Sequence, residues 1–138
     1  GEGYKGILYG GFMATTNGVK LIEYNARFGD PEAMNVLSLL ESDFIEICNG
    51  IAGGTLDKID VQFSKKATVC KYAVPEGYPN NPVKGEPIDI SGISNPDGLF
   101  YASVDFKGTN LVESGSRTIA VVGIADTISE AEKIAEKE

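Results

Sequence analysis

The sequence predicts an α+β fold: a β-hairpin and two helices, joined to a small, mostly antiparallel β-rich portion with a terminal helix. Three observations predict it. Asn17-Gly18 separates two β-type runs, and Asn-Gly is the strongest short hairpin signal. Apolar residues then recur at helical spacing through residues 33–51. From Thr55 onward, short β-type runs alternate with joints rich in Pro, Gly and Asn, until a last helical stretch begins near Ser129.

Taken in order, residues 5–14 read as a strand whose glycines allow close backbone approach. Residues 15–18 form the turn and 19–27 the return strand, flanked by apolar Leu21, Ile22, Tyr24, Ala26 and Phe28 that predict a well-buried element. Asp30-Pro31 opens a helix, because Asp is a favoured N-cap and Pro fits the first helical position. Ala33, Val36, Leu37 and Leu40 mark its buried face. Ser42-Asp43 starts a second helix with Phe44, Ile47, Cys48 and Ile51 on one stripe, and Gly53-Gly54 ends it. Strands are expected at 66–74, 87–90, 99–106 and 117–124, with turn-rich joints at 75–82 and 94–98. Thr127 with Glu130, or Ser129 with Glu132, offers a capping box for the last helix, whose apolar stripe is Ala131, Ile134 and Ala135. A soft boundary between Thr55 and Lys65 divides residues 1–60 from 61–138.

Composition narrows the function. The 138 residues are 42% apolar and 23% charged, which fits a globular protein and argues against disorder. No apolar run approaches the roughly 20 residues of a membrane span, so no membrane partner is expected. The start shows no basic region followed by an apolar one, hence no signal peptide, and no initiating Met, so the chain reads as a processed or excised piece. A net charge of −8 argues against a nucleic-acid partner, since phosphate contacts need clustered Lys and Arg. Without His, imidazole metal sites and general bases are excluded. Cys48 and Cys70 sit in apolar patterns and read as buried reduced thiols, which implies a reducing, cytoplasmic setting. The tyrosines at 9, 24, 72, 78 and 101 read as core rather than as base-stacking surface.

The chemistry concentrates in Glu23-Tyr-Asn-Ala-Arg-Phe-Gly-Asp-Pro-Glu32. In a strand, Glu23 and Asn25 point the same way. They are either two polar residues on an exposed face or the oxygen pair for a hard divalent cation carried by nucleotide phosphates. Arg27, nominally on the same face, is either a surface ion-pair partner or a charge stabiliser in phosphoryl or acyl transfer. Asp30 caps the helix or pairs with a substrate ammonium. Glu32 suits the helix dipole in the first turn. Gly10-Gly11 fits either a phosphate-contacting turn or a packing device. Ser114-Gly115-Ser116-Arg117 either aims Arg117 at a ligand or forms a plain turn. Neither a Gly-x-x-x-x-Gly-Lys-Ser/Thr loop nor a Gly-x-Gly-x-x-Gly fingerprint is present.

This decapeptide resembles the metal-site signature of the phosphoribosylamine–glycine ligase (glycinamide ribonucleotide synthetase) family of the ATP-grasp superfamily. Gly6-Ile-Leu-Tyr-Gly-Gly-Phe-Met13 with Asn17-Gly18 resembles the family's hairpin, and Ser42-Asp43-Phe44 its helix junction. Gly77-Tyr78-Pro79, Lys84-Gly85 and Gly115-Ser116-Arg117 are similar to landmarks of its C-terminal domain. Ser116 departs from a more usual second glycine, and Ala102-Ser103-Val104 from a more usual Ala-Gly-Thr.

The resemblance implies a C-terminal piece: residues 1–60 as the end of the ATP-grasp domain and 61–138 as the β-rich C-terminal domain, with the N-terminal part of the same enzyme as missing partner. It implies ligation of glycine to 5-phosphoribosylamine through glycyl phosphate, in purine biosynthesis, with ATP and Mg²⁺ or Mn²⁺ as cofactors. On that reading Glu23 and Asn25 bind the metal, Arg27 steadies the transferring phosphoryl group, and Asp30 and Glu32 contact substrate. The chain alone is expected to be inactive, because most nucleotide contacts lie in absent segments. Rival readings are a non-catalytic β-rich interaction module and an ATP-grasp ligase with another substrate.

Overall fold

A computed structural model describes residues 3–138, so the reading of the first residues falls partly outside the described chain. Helices and antiparallel sheets are combined, as the sequence predicts, and the chain divides after Lys65 into two compact units.

In the first unit, β1 (Tyr9–Thr15) and β2 (Gly18–Asn25) form an antiparallel hairpin. Gly18 takes the left-handed conformation (φ 93°) that its turn requires. The register slips between Gly11 and Phe12, so that Gly11 pairs with Glu23 while Phe12 pairs with Leu21. The unpaired residue is Ile22, a β-bulge in β2. Helix α1 (Glu32–Leu37) follows, then α2 (Phe44–Gly53). Asp43 caps α2, accepting from the Ile45 (2.7 Å) and Glu46 (3.1 Å) backbone N–H groups, and Gly54 ends it in the left-handed region (φ 68°).

Burial in this unit departs from expectation. Leu21, Ile22 and Tyr24 on β2 are 50–63% exposed, and no residue of α1 is buried, including Val36 and Leu37. Cys48 is exposed and Cys70 half-buried, although both are free thiols. A two-stranded ribbon with one short and one ten-residue helix has too few layers to enclose both faces of any element. Of the α2 stripe, Ile47 reaches full burial.

The second unit has a better-enclosed core. β7 (Ile119–Ala125) runs between β3 (Ala67–Ala73) and β4 (Leu99–Tyr101), antiparallel to both, and its residues 119–123 are buried. A central strand covered on both faces takes a continuous apolar run, here Ile119-Ala-Val-Val122. Helix α3 (Ile128–Lys137) packs on β7 and β3 through Ala131 and Ala135, with Ile134 left at the margin. At Gly123 an added Cβ would overlap the Ala131 carbonyl oxygen and come within 2.8 Å of the Ala135 nitrogen, so the helix lies directly on the strand backbone. Thr127 caps α3 and Glu130 answers it, which selects the first of the two capping boxes.

Three expectations need correction here. The segment 87–90 is no strand: it makes an isolated bridge from Pro87 to Val112, flanked by bonds from Glu113 N to the Glu86 carbonyl and from Ile88 N to the Leu111 carbonyl, and pairs no further. The run 99–106 breaks into β4 and β5 (Val104–Lys107) at Ala102-Ser103, where the chain leaves the three-stranded sheet to form a hairpin with β6 (Asn110–Glu113). That last strand was not expected. Of the tyrosines read as core, Tyr24, Tyr78 and Tyr101 are exposed. Among the described residues no helix is long and apolar enough to cross a membrane.

Candidate metal and phosphoryl-transfer site

Glu23 and Asn25 close the second arm of the hairpin. Their side chains share one face, and the Asn25 Nδ2 donates to Glu23 Oε1 at 3.1 Å. A half-turn of the amide exchanges donor for acceptor, so the same placement can offer two oxygens to a cation. Asn25 is half-buried and Glu23 exposed. Among the described residues no group of three or more acidic, Cys or His side chains could hold a metal. A carboxylate plus an amide oxygen fits an ion that brings phosphate and water ligands with it, the usual habit of Mg²⁺.

The bulge decides what lies opposite this pair. Tyr9 pairs with Asn25 and Gly11 with Glu23, and directly opposed residues share a face. Had the register from the turn continued unbroken, the partners of Glu23, Tyr24 and Asn25 would each have shifted by one and changed face. A Cβ on Gly11 would lie 3.5 Å from Glu23 Cγ and 3.7 Å from the Tyr9 hydroxyl. The absent side chain of Gly11 therefore leaves the space over Glu23 open.

Strand alternation does not extend to Arg27. β2 ends at Asn25, residues 26 and 27 form a bend, and Arg27 Nη1 donates to the Phe28 carbonyl at 2.6 Å. The structure brings Glu23 and Asn25 together and folds the exposed Arg27 onto its own turn. Asp30 does not cap α1. The N-cap is Pro31, after a cis Asp30–Pro31 bond, and its side chain makes no capping hydrogen bond. Backbone carbonyls take that role: Gly29 accepts from Ala33 N and Pro31 from Met34 N, both at 2.9 Å.

Glu32 opens α1, where its charge suits the helix dipole, and reaches back to β1: Tyr9 donates its hydroxyl to Glu32 Oε1 at 3.0 Å. That bond, with smaller help from desolvation and from the charges of Glu32 and Glu23, raises the Tyr9 pKa above its ordinary value. Tyr9 is the residue that sequence reasoning missed. The register slip that sets it opposite Asn25 is not written in the pattern of apolar residues.

In the second unit, the Arg117 guanidinium lies over the Tyr72 ring, 5.1 Å from its centre. Gly115 packs on Ser103, so of the three positions that depart from the resembled pattern, 103 lies in this contact and 116 beside it, while 104 is the residue after Ser103. This unit also holds an open, mainly apolar hollow of about 780 Å³, lined by residues including Pro87, Ile90, Tyr101, Val104 and Phe106. Its one titratable carboxylate, Asp89, accepts from the Ser91 N–H at 2.9 Å, which lowers its pKa. The hollow offers no catalytic set comparable to the hairpin face.

A hairpin with an oxygen pair on its second arm, followed by a bend with an arginine and a helix start, is an arrangement suited to metal-assisted phosphoryl chemistry. The chain belongs to the phosphoribosylglycinamide synthetase family, whose C domain matches residues 68–138 and whose ATP-grasp (A) domain matches residues 1–33. It is 60% identical over 138 residues to the phosphoribosylamine–glycine ligase of Methanocaldococcus jannaschii, covering 98% of this chain. Identity to the Methanosarcina barkeri protein of the same name is 56% over 136 residues, covering 99% of this chain. The chain spans 31% of the length of each of these relatives. The crystal structure of phosphoribosylamine–glycine ligase from Thermotoga maritima is similar with a TM-score of 0.76 at 28% identity, over 94% of this chain and 32% of that one.

Proposed function

We propose that this chain is the C-terminal part of a phosphoribosylamine–glycine ligase, in which ATP phosphorylates the glycine carboxylate and the amine of 5-phosphoribosylamine displaces phosphate from glycyl phosphate. The products are glycinamide ribonucleotide, ADP and phosphate. The observation that carries the reading is the adjacency of Glu23 and Asn25 on one strand face, in a chain whose two ends match the two domains of that synthetase.

Glu23 and Asn25 are the residues that hold the Mg²⁺ or Mn²⁺. When bound, the ion neutralises phosphate charge and orients the transferring group. Arg27 supplies a guanidinium that can leave the Phe28 carbonyl and pair with the transferring phosphoryl group and the acyl phosphate. Asp30, exposed at the mouth of the turn, is suited to the ammonium of glycine. The N-terminal part of the same enzyme supplies the remaining nucleotide contacts. The setting is cytoplasmic, in keeping with two free cysteines.

The test is a chimera in which this chain replaces the matching segment of the Methanocaldococcus jannaschii ligase. The expected result is ADP formation that requires both glycine and phosphoribosylamine, lowered about 100-fold or more by Glu23→Gln. A folded chimera without that activity, or one indifferent to Glu23→Gln, would contradict the reading. The 138-residue chain alone is expected to show no turnover.

A further inference from the structure

Between the metal-pair face and the Arg27 bend lies a contact that the proposed chemistry does not use. Glu32 Oε1 accepts from the hydroxyl of Tyr9, which stands opposite Asn25 in the hairpin register. The other oxygen, Oε2, occupies the space a side chain on Gly29 would fill. Gly29 is buried and its φ is not positive, so neither backbone strain nor turn geometry demands a glycine there. The Glu32 carboxylate packs over this glycine, and an added Cβ would have to displace it. At the start of the same bend the Tyr4 hydroxyl lies within hydrogen-bond distance of two carbonyls, Ile7 (2.9 Å) and Ala26 (3.0 Å), and shares its one proton between them.

We propose that Tyr9 and Glu32 form a positioning clamp, in which Glu32 presses on Gly29 and binds Tyr9 to hold the 26–31 bend, with Arg27 on it, against the strand face that carries Glu23 and Asn25. Glu32 is then a positioning residue rather than a substrate ligand. An arginine on a bend free to drift loses alignment with a reacting group, and a displacement of about 1 Å can cost on the order of 100-fold in rate. The catalytic half of this inference rests on the function proposed above; the structural half does not.

Two experiments test it. In the chimera, Tyr9→Phe and Glu32→Leu are each expected to lower kcat about 10-fold or more while the KM for glycine stays within about twofold. Combining the two is expected to be no worse than the stronger single change, because each removes one partner of the same hydrogen bond. Multiplying effects, a Tyr9→Phe enzyme as fast as the unsubstituted one, or a Glu32→Leu change confined to the KM for glycine would overturn the clamp. Glu23→Gln separates the two claims: activity lost there but kept in Tyr9→Phe overturns the clamp alone, whereas activity kept in Glu23→Gln overturns the metal-site reading. The second experiment needs no turnover. Hydrogen exchange on the chimera is expected to quicken at residues 26–34 in Tyr9→Phe, with β7 unchanged; unaltered exchange at 26–34 would overturn the clamp.

Discussion

Tyr9 and Asn25 stand directly opposite one another across the hairpin, and they do so because β2 carries one extra residue, Ile22, beyond the turn-proximal register. That slip places a hydroxyl, a glycine gap, a carboxylate and an amide on a single face, and it carries the arrangement on which the proposed chemistry rests.

The Tyr9 hydroxyl reports on this face. Its contact with Glu32 favours the protonated phenol, so its titration lies above the ordinary tyrosine range. Spectrophotometric difference titration of tyrosinate absorbance is expected to show Tyr9 ionising at higher pH in the unsubstituted protein than in Glu32→Leu. A Tyr9 that titrates alike in both proteins would remove the bond.

Helix α3 tolerates no side chain beneath it. Gly123→Ala would press a methyl group into the Ala131 carbonyl and the Ala135 nitrogen, which are backbone atoms that cannot turn aside. Overpacking of this kind costs about 1–3 kcal/mol or more, and urea denaturation of the second unit should show it as a lowered midpoint. An unchanged midpoint would mean that α3 does not lie on β7 as described.

Two caps are separable in the same way. Thr127→Ala removes the acceptor for Glu130 N, and Asp43→Ala removes the acceptor for Ile45 N and Glu46 N. Each is expected to cost about 1 kcal/mol, Thr127→Ala in the unfolding of the second unit and Asp43→Ala in that of the first.

Acid should weaken the second unit. Lys71 holds the Glu136 carboxyl below its ordinary pKa, and the Ser94 hydroxyl and N–H do the same for Glu138. A carboxylate whose folded pKa is depressed binds protons better when unfolded, so its contribution is present above the unfolded pKa and lost as pH falls through the folded one. Lys71 works at the other end: its raised pKa adds stability that disappears as pH climbs past the ordinary lysine range. Denaturation midpoints should therefore fall below about pH 4.5 and again above about pH 10.5; Lys71→Met should flatten the alkaline limb and reduce, without removing, the acid one, to which Glu138 still contributes. All these groups are at the surface, so salt should shrink the effect.

Much of the fold was legible because its cues are local. Asn17-Gly18, Asp43, Gly54 and the Thr127–Glu130 pair act within a few residues, and each sits where its chemistry predicts. The same-face placement of Glu23 and Asn25 was equally local, since strand alternation alone sets it. What failed depended on long-range facts. Burial of Leu21, Ile22 and Tyr24 was inferred from apolarity, but a two-stranded ribbon supplies no second layer. Arg27 was aligned with Glu23 by extending a strand that stops at Asn25. Asp30 looked like a cap, yet Gly29 and Pro31 carbonyls had already satisfied the first N–H groups of α1. Tyr9 was hidden by a bulge, and a one-residue slip leaves no mark in composition or periodicity.

The central claim is that the oxygens of Glu23 and Asn25 hold a nucleotide-borne divalent ion. Its most direct test is a titration of Mn²⁺ with ATP into the chimera, followed by electron paramagnetic resonance, for the unsubstituted protein, Glu23→Gln and Asn25→Ala. Tight Mn²⁺ uptake in the first, weakened at least 10-fold in each variant, is the predicted result. Equal uptake in all three proteins would contradict it.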